Sequence, residues 1–330
     1  MQVIENSGIS RKADLFALSK AFRVCDLDVV LLGKCRPEAS VHQYGHKEVI
    51  FCGGEVDFDF RGRFTLPPGW CMVGCIHETE KGSWSHGIPL ESHTAFTALP
   101  GKLNDFMLSR GSRVTGVLLP FEKVETKLAQ LLPCWAKASE NVMAPFVLGE
   151  GARHQDLNAN FEKIRDHLCL IRCGGNASVN PDVDTDALVT QHLLAAISAQ
   201  PRHNLQCLRG RRTHYRVVQR VEQYLRANLH DDIDNVEMCE AGRVSERTLR
   251  NAFHDVMHIS PNRYLSMLRL CRAFQSLSSS DASRCSVKSV ALSCGFWDFS
   301  RFAEHYQQVF RELPHQTLMQ ASSLNSHAGT

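Results

Sequence analysis

AGRVSERTLRNAFHDVMHISPNRYL, residues Ala241–Leu265, and CGFWDFSRFAEHYQQVFRELPHQTL, residues Cys294–Leu318, align without a gap at an offset of 53. Gly242 falls on Gly295, Ser245 on Asp298, Leu249 on Phe302, and Phe253 on Tyr306. Val256 falls on Val309, Met257 on Phe310, Pro261 on Pro314, and Leu265 on Leu318. Each match has a physical task. The glycine is expected to end a short helix, Val236–Ala241 in the first copy, in a left-handed conformation that other residues adopt at a cost. Ser245 and Asp298 supply side-chain oxygens that cap the next helix. Leu249, Phe253 and Val256 recur at helical spacing and hold that helix to its neighbours. Pro261 stops continuation. Helix, turn, capped helix is the layout of a helix-turn-helix, here present twice.

The opposite face of each second helix is polar. The first copy offers Arg247, Thr248, Arg250 and Asn251; the second offers Ser300, Arg301 and Glu304. Arginine can pair with guanine O6 and N7, asparagine with adenine, and glutamate can accept from cytosine N4. For a single copy, an ordinary solvated face would explain these residues as well. Two copies with matched caps favour a surface that reads DNA. Asn262–Leu277 reads as one helix between the copies, with Leu265, Leu268, Leu270 and Phe274 as its apolar positions. A rigid link of that kind would let the two polar faces enter successive major grooves, roughly 34 Å apart. Tyr215–Leu229 reads as a helix before the first copy, with Val217, Val218, Val221, Leu225 and Leu229 inward.

These residues carry a resemblance. VSERTLRNAFHDVMHISPNRYLSMLRL and VALSCGFWDFSRFAEHYQQVF resemble, in order, the two halves of the AraC/XylS DNA-binding signature. GFW and the following ELPHQTL look most similar to the branch that contains the ethanolamine-utilisation regulators. The resemblance covers residues 213–319 and implies an all-α domain of seven helices with two helix-turn-helix units. It implies DNA contacts at Arg247, Arg250 and Asn251, and at Ser300, Arg301 and Glu304, with Ser245, Thr248 and Asp298 beside them. Two departures stand out. The family commonly has glycine at the positions of His258 and Arg311, which puts the local turn geometry in question. Glu304 stands where a basic or polar residue is common; it either reads cytosine or sits off the DNA.

The 330-residue length suits two domains. The net charge of +2 hides an asymmetry: residues 200–330 carry 17 Lys/Arg against 12 Asp/Glu, a net of +5, and the rest is −3. Lys288 is the only lysine in that basic part. A basic half suits a polyanionic partner. No stretch is apolar enough for a membrane span, and the N-terminus lacks a signal-peptide core, so a cytoplasmic protein is expected. The 13 cysteines are odd in number and scattered. Cys71/Cys75 and Cys169/Cys173 are the only close pairs, and free thiols packed as small apolar groups fit them better than zinc.

Residues 25–120 read as mostly β, through Asp28–Gly33, Lys47–Cys52, Glu55–Phe60, Phe64–Trp70, Cys71–His77 and Arg113–Leu119, with a turn at Gly53-Gly54 and another at Pro67-Pro68-Gly69. Residues 122–200 change to helical spacing: Val124, Leu128, Leu131 and Leu132; Phe161, Ile164, Leu168 and Ile171; Leu188, Leu193, Leu194 and Ile197. Residues 173–186 read as a loop. The expected class is α+β: a β-rich, cupin-like module with helices over 1–199, a linker at 200–212, an all-α double helix-turn-helix domain at 213–319, and a flexible tail at 320–330. The N-terminal module resembles the family's sensor half in outline only, which implies effector binding, dimerisation, or both.

Other chemistry finds little support. His42 and His46 suggest a metal pair, but no His-x-His with a following glutamate completes a cupin site. Cys71, Cys75, His77 and Glu78, between Trp70 and Trp84, suit β-core packing better than an effector pocket. Asp57 and Asp59 share one face of the Glu55–Phe60 strand, as a solvated face would. No P-loop, dinucleotide glycine motif or nucleophile elbow is present. The expectation is a regulator, an activator acting with RNA polymerase as a homodimer, without catalytic residues, metal or cofactor.

Overall fold

The computed structural model describes residues 9–13, 18–19, 24–33, 39–46, 48–132, 144–149, 151–172, 181–199, 205–280 and 285–327. The chain divides into two compact units. The first takes Met1–Asp28, Glu38–Asp57 and Gly62–His203; the second takes Val29–Pro37, Phe58–Arg61 and Asn204–Thr330.

In the first unit, β1 (Ile9–Ala13), β3 (Ala39–His46), β4 (Val49–Val56), β11 (Ser112–Pro120), β6 (Trp70–Glu78), β9 (Thr94–Ala98) and β12 (Phe146–Val147) form an antiparallel sheet in the order β1-β3-β4-β11-β6-β9-β12. A second sheet runs β2-β5-β10-β7-β8, from β2 (Asp28–Leu31), β5 (Phe60–Thr65), β10 (Leu103–Leu108), β7 (Trp84–Ser85) and β8 (Ile88–Pro89). Alternate residues of the larger sheet, Phe51, Cys71, Val73, Cys75, Val117 and Leu119, share one core with three helices. Those helices are α1 (Phe121–Leu131), α2 (Ala152–Arg172) and α3 (Thr185–Ser198), which add Val124, Leu128, Phe161, Ile164, Leu168, Leu188 and Leu193. Ile171 is buried with them, whereas Leu194 and Ile197 are only partly covered. The reading of a β module with helices therefore holds, and most of its apolar positions meet in this core.

Several local expectations are corrected. Gly53-Gly54 is no turn: both lie inside β4. A Cβ on Gly53 would come within 2.9 Å of Leu168 Cδ1, so the glycine admits the α2 side chain and does not bend the chain. Asp57 and Asp59 lie in the bend between β4 and β5 and not on a strand face. β3, β9 and β10 were missed because their buried positions include His42, Gln43, Thr94, Thr97, Asn104 and Asp105, which break the apolar alternation. His42 and His46 fall on β3, four residues apart, and so do Cys71 and Cys75 on β6. At ~3.3 Å per strand residue, each pair is separated by about 13 Å, too far to share one ion. Burial pushes the Cys71 and Cys75 thiols up to about 12, as expected of packed thiols. Cys169 is exposed on α2, and Cys173 lies outside the described residues. His77 and Trp84 are buried in the sheets.

The second unit is helical: α4 (Leu205–Ala227), α5 (Asn235–Gly242), α6 (Glu246–Met257), α7 (Pro261–Ser279), α8 (Val287–Ser293), α9 (Phe299–Phe310) and α10 (Pro314–His327). Residues 205–212, expected as linker, are the first two turns of α4, and residues 320–327, expected as a flexible tail, continue α10. Within this unit lie two short segments from far upstream. Val29, Val30, Leu31, Leu32, Phe58, Phe60 and Arg61 are all buried. The Leu31 amide donates to Cys271 Sγ of α7 at 3.4 Å. Arg61 Nη2 pairs with Glu222 Oε2 of α4 at 2.5 Å, with both side chains at zero exposure. Glu222 Oε1 accepts from Arg226 Nε at 3.0 Å and from the Tyr264 hydroxyl at 2.5 Å. Among the described residues, no helix is long and apolar enough to cross a membrane.

Candidate nucleic-acid interface

The first helix-turn-helix consists of α5 and α6. Asp234 caps α5 in a capping box with Glu237. The turn differs from expectation at one residue: Arg243, not Gly242, is left-handed, at φ 54°. Gly242 is the last helical residue, and a Cβ there would sit 3.0 Å from Val221 Cγ2 and 3.1 Å from Val244 Cγ2. Its role is close approach of α5 to α4. Ser245 caps α6 by accepting from the Thr248 amide, and its hydroxyl is 3.0 Å from Thr248 Oγ1. Leu249, Phe253, Val256 and Met257 are buried. Arg247, Arg250 and Asn251 are exposed on the other side, and Thr248 is half-buried in the cap. Arg250 pairs with Glu246 one turn back, so its guanidinium would exchange one anion for another on meeting DNA.

The second copy is α8 and α9. Ser286 caps α8, and Gly295 takes the left-handed turn at φ 75°. Only glycine fits there on two counts, because a Cβ would lie 2.6 Å from the Leu229 carbonyl oxygen and 2.9 Å from Arg269 Cζ. Asp298 caps α9 by accepting from the Arg301 amide at 3.0 Å. Phe302, Tyr306, Val309 and Phe310 are buried, while Ser300, Arg301 and Glu304 are exposed. Glu304 accepts from Gln308 Nε2 at 3.2 Å. Ser245 and Asp298 thus have structural duties; their side chains serve the helix and bring its N-terminus into shape.

The end of each second helix resolves the question of missing glycines. His258 at φ 58° and Arg311 at φ 61° are left-handed, as glycine would be. α7 carries ten buried residues in nineteen, from Pro261 to Leu277, which fixes it as the helix packed between the two copies. Three exposed residues were overlooked. His254 continues the Arg247–Arg250–Asn251 stripe, and Gln307 continues the Ser300–Glu304 stripe; i+7 spacing marks both. Phe299, to which the sequence reading gives no role, is exposed as well.

The profile of a helix-turn-helix domain family matches residues 238–320. A transcriptional activator of the XylDLEGF operon from Pseudomonas putida is 33% identical over 102 residues, 31% of this chain and 32% of that one. Over this stretch the C-terminal domain resembles that of AraC/XylS-family regulators. The HTH-type transcriptional regulator GbdR of Pseudomonas aeruginosa is 37% identical over 93 residues, 28% of this chain and 24% of that one. The match thus spans about a third of the length of these curated relatives or less, and the ethanolamine branch has no counterpart among those named here. Among solved structures, a probable AraC-family regulator from Rhodopseudomonas palustris shares 33% identity over 32% of this chain and 96% of that chain, with a TM-score of 0.30. The AraC-like activator CuxR shares 12% over 82% of this chain and 95% of its own, with a TM-score of 0.42. The relatives named are transcription regulators, not enzymes.

Proposed function

We propose that this chain is a sequence-specific DNA-binding transcription regulator, an activator, whose AraC/XylS domain contacts a promoter through α6 and α9. One observation carries the reading: two capped helices repeated at an offset of 53 expose Arg247, Arg250 and Asn251 on one, and Ser300, Arg301 and Glu304 on the other. Arginine and backbone attraction supply affinity, and base-edge contacts supply choice of site. Residues 1–199 act as the sensing and dimerisation half, with a small-molecule effector shifting a standing equilibrium and RNA polymerase as the downstream partner. A ligand-independent module is the second reading. It is favoured by the filling of the larger sheet's other face, where Phe96 covers Gly74 and Met72 and Cys52 crowd Gly116.

The test uses the full chain and duplexes recovered by it from a randomised pool. Arg247→Ala and Arg301→Ala should each weaken binding by ~1–3 kcal/mol and relax the preference at one base pair. Binding that ignores sequence, or that survives both substitutions, would refute the reading. Thermal shift against amine, amino-acid and aromatic metabolites separates sensor from ligand-independent module.

A further inference from the structure

The sequence Gly295-Phe296-Trp297-Asp298-Phe299 opens α9 with three aromatics, and the structure sends them in two directions. Phe296 turns inward and packs on Phe302, with ring centroids 4.7 Å apart. Trp297 is 65% exposed and Phe299 36%, against 1% for Phe302 one turn further on. Residues 297–301 are exposed without interruption. Lys288 of α8 lies over the Phe299 ring, its Nζ 5.4 Å from the centroid. The carboxylate of Asp298, the preceding residue, accepts from the Arg301 amide at 3.0 Å. Two exposed aromatics, one of them beneath a lysine ammonium, therefore sit at the N-terminal end of the second copy's reading helix.

We infer that Phe299 and Trp297 form an apolar reader of thymine at the second half-site, with Lys288 holding the adjacent phosphate. This rests on the proposed DNA-binding function and adds a specificity element to it. The charge decides for DNA over a protein surface. Protein interfaces deplete lysine, whereas a DNA backbone recruits it, and the only lysine of residues 200–330 is placed at this ring. Position decides for the major groove, because a recognition helix meets base edges with its N-terminal residues. The apolar feature that groove offers is the thymine C5-methyl group. The ammonium lies within cation–π range of the Phe299 ring, so the cation and the ring share one surface.

The experiment replaces each thymine of the selected duplex, one at a time, by deoxyuridine, which removes only the methyl group. Binding of the wild-type full chain should weaken about fourfold at one or two positions, the equivalent of one buried methyl at ~0.8 kcal/mol. Phe299→Ala, or Phe299→Gln as a polar control, should bind the thymine duplex about as weakly as wild type binds the deoxyuridine duplex, and lose sensitivity at that position. Lys288→Gln should weaken all duplexes alike and lower the salt dependence. Wild type indifferent to every deoxyuridine, or a Phe299 variant still sensitive at the same position, overturns the inference. In that case sequence-selective binding lost in Arg247→Ala keeps the DNA-binding function intact. Trp297→Ala that binds DNA normally but loses transcription would assign Trp297 to a protein partner.

Discussion

Glu222 has no exposed surface and receives Arg61, Arg226 and the Tyr264 hydroxyl on two oxygens. Burial and the adjacent carboxylate raise the Tyr264 phenol well above its ordinary value, so it remains a donor. Breaking a buried pair from one side leaves a bare charge and costs ~3–5 kcal/mol, while replacing both partners by apolar groups recovers much of that. Arg61→Met and Glu222→Leu should each lower the unfolding free energy of the helical unit strongly, and the double variant should cost less than their sum. Denaturation followed by circular dichroism checks this; additive losses would mean that the two side chains do not interact. The opposite sign is expected at Arg311. A non-glycine left-handed residue costs about 1–2 kcal/mol, and glycine gives back ~0.5–1 in chain entropy. Arg311→Gly should therefore stabilise by up to ~1 kcal/mol, and His258→Gly by less, since histidine tolerates that region better. A lowered melting temperature for Arg311→Gly would contradict it.

The helices were legible wherever one face was apolar. Leu249, Phe253 and Val256 announced α6, and Phe302, Tyr306 and Val309 announced α9. Caps were legible too, because Ser245 and Asp298 act through their own neighbours. What eluded the sequence was whatever depends on a distant partner. Gly242 looked like a turn residue, but its reason is Val221 on α4. Gly53 looked like a turn, but its reason is Leu168 on α2. Glu222 resembled any charge on a helix because Arg61 is 161 positions away. Phe299 was assigned no role because exposure cannot be read from residue type. The revised role of Gly242 makes a prediction at the level of α5. Gly242→Val forces methyl groups against Val221 and Val217 and should destabilise the unit by ~1–3 kcal/mol. Val221→Ala should rescue part of that loss if packing is the cause; no rescue would point back to backbone strain.

Across the β-rich unit, acid sensitivity has a structural source. His77 donates or accepts at Thr115 Oγ1 at 2.9 Å, and His192 does so at Thr97 Oγ1 at 2.9 Å. Burial is the first cause lowering both, to about 4 and about 3. The folded values lie below the ordinary 6.5, so the unfolded chain takes up these protons first. Stability is complete above about pH 6.5 and falls as pH drops toward 4, by up to ~1.4 kcal/mol per pH unit for each histidine. Denaturant midpoints taken between pH 7.5 and 4.5 should decline, and His192→Gln should flatten the decline. An unchanged slope in that variant would remove His192 as its source.

The upstream segments Val29–Leu32 and Phe58–Arg61 also bear on where this protein can be cut. A gene fragment that begins at Asn204 preserves every helix yet leaves out strands that complete the same unit. Such an excised piece would present Met257 and Cys271 to water and leave the Glu222 carboxylate short of its inner counter-ion. It should be recovered in poorer yield than a fragment repaired by Glu222→Leu, a comparison that needs only two expression trials.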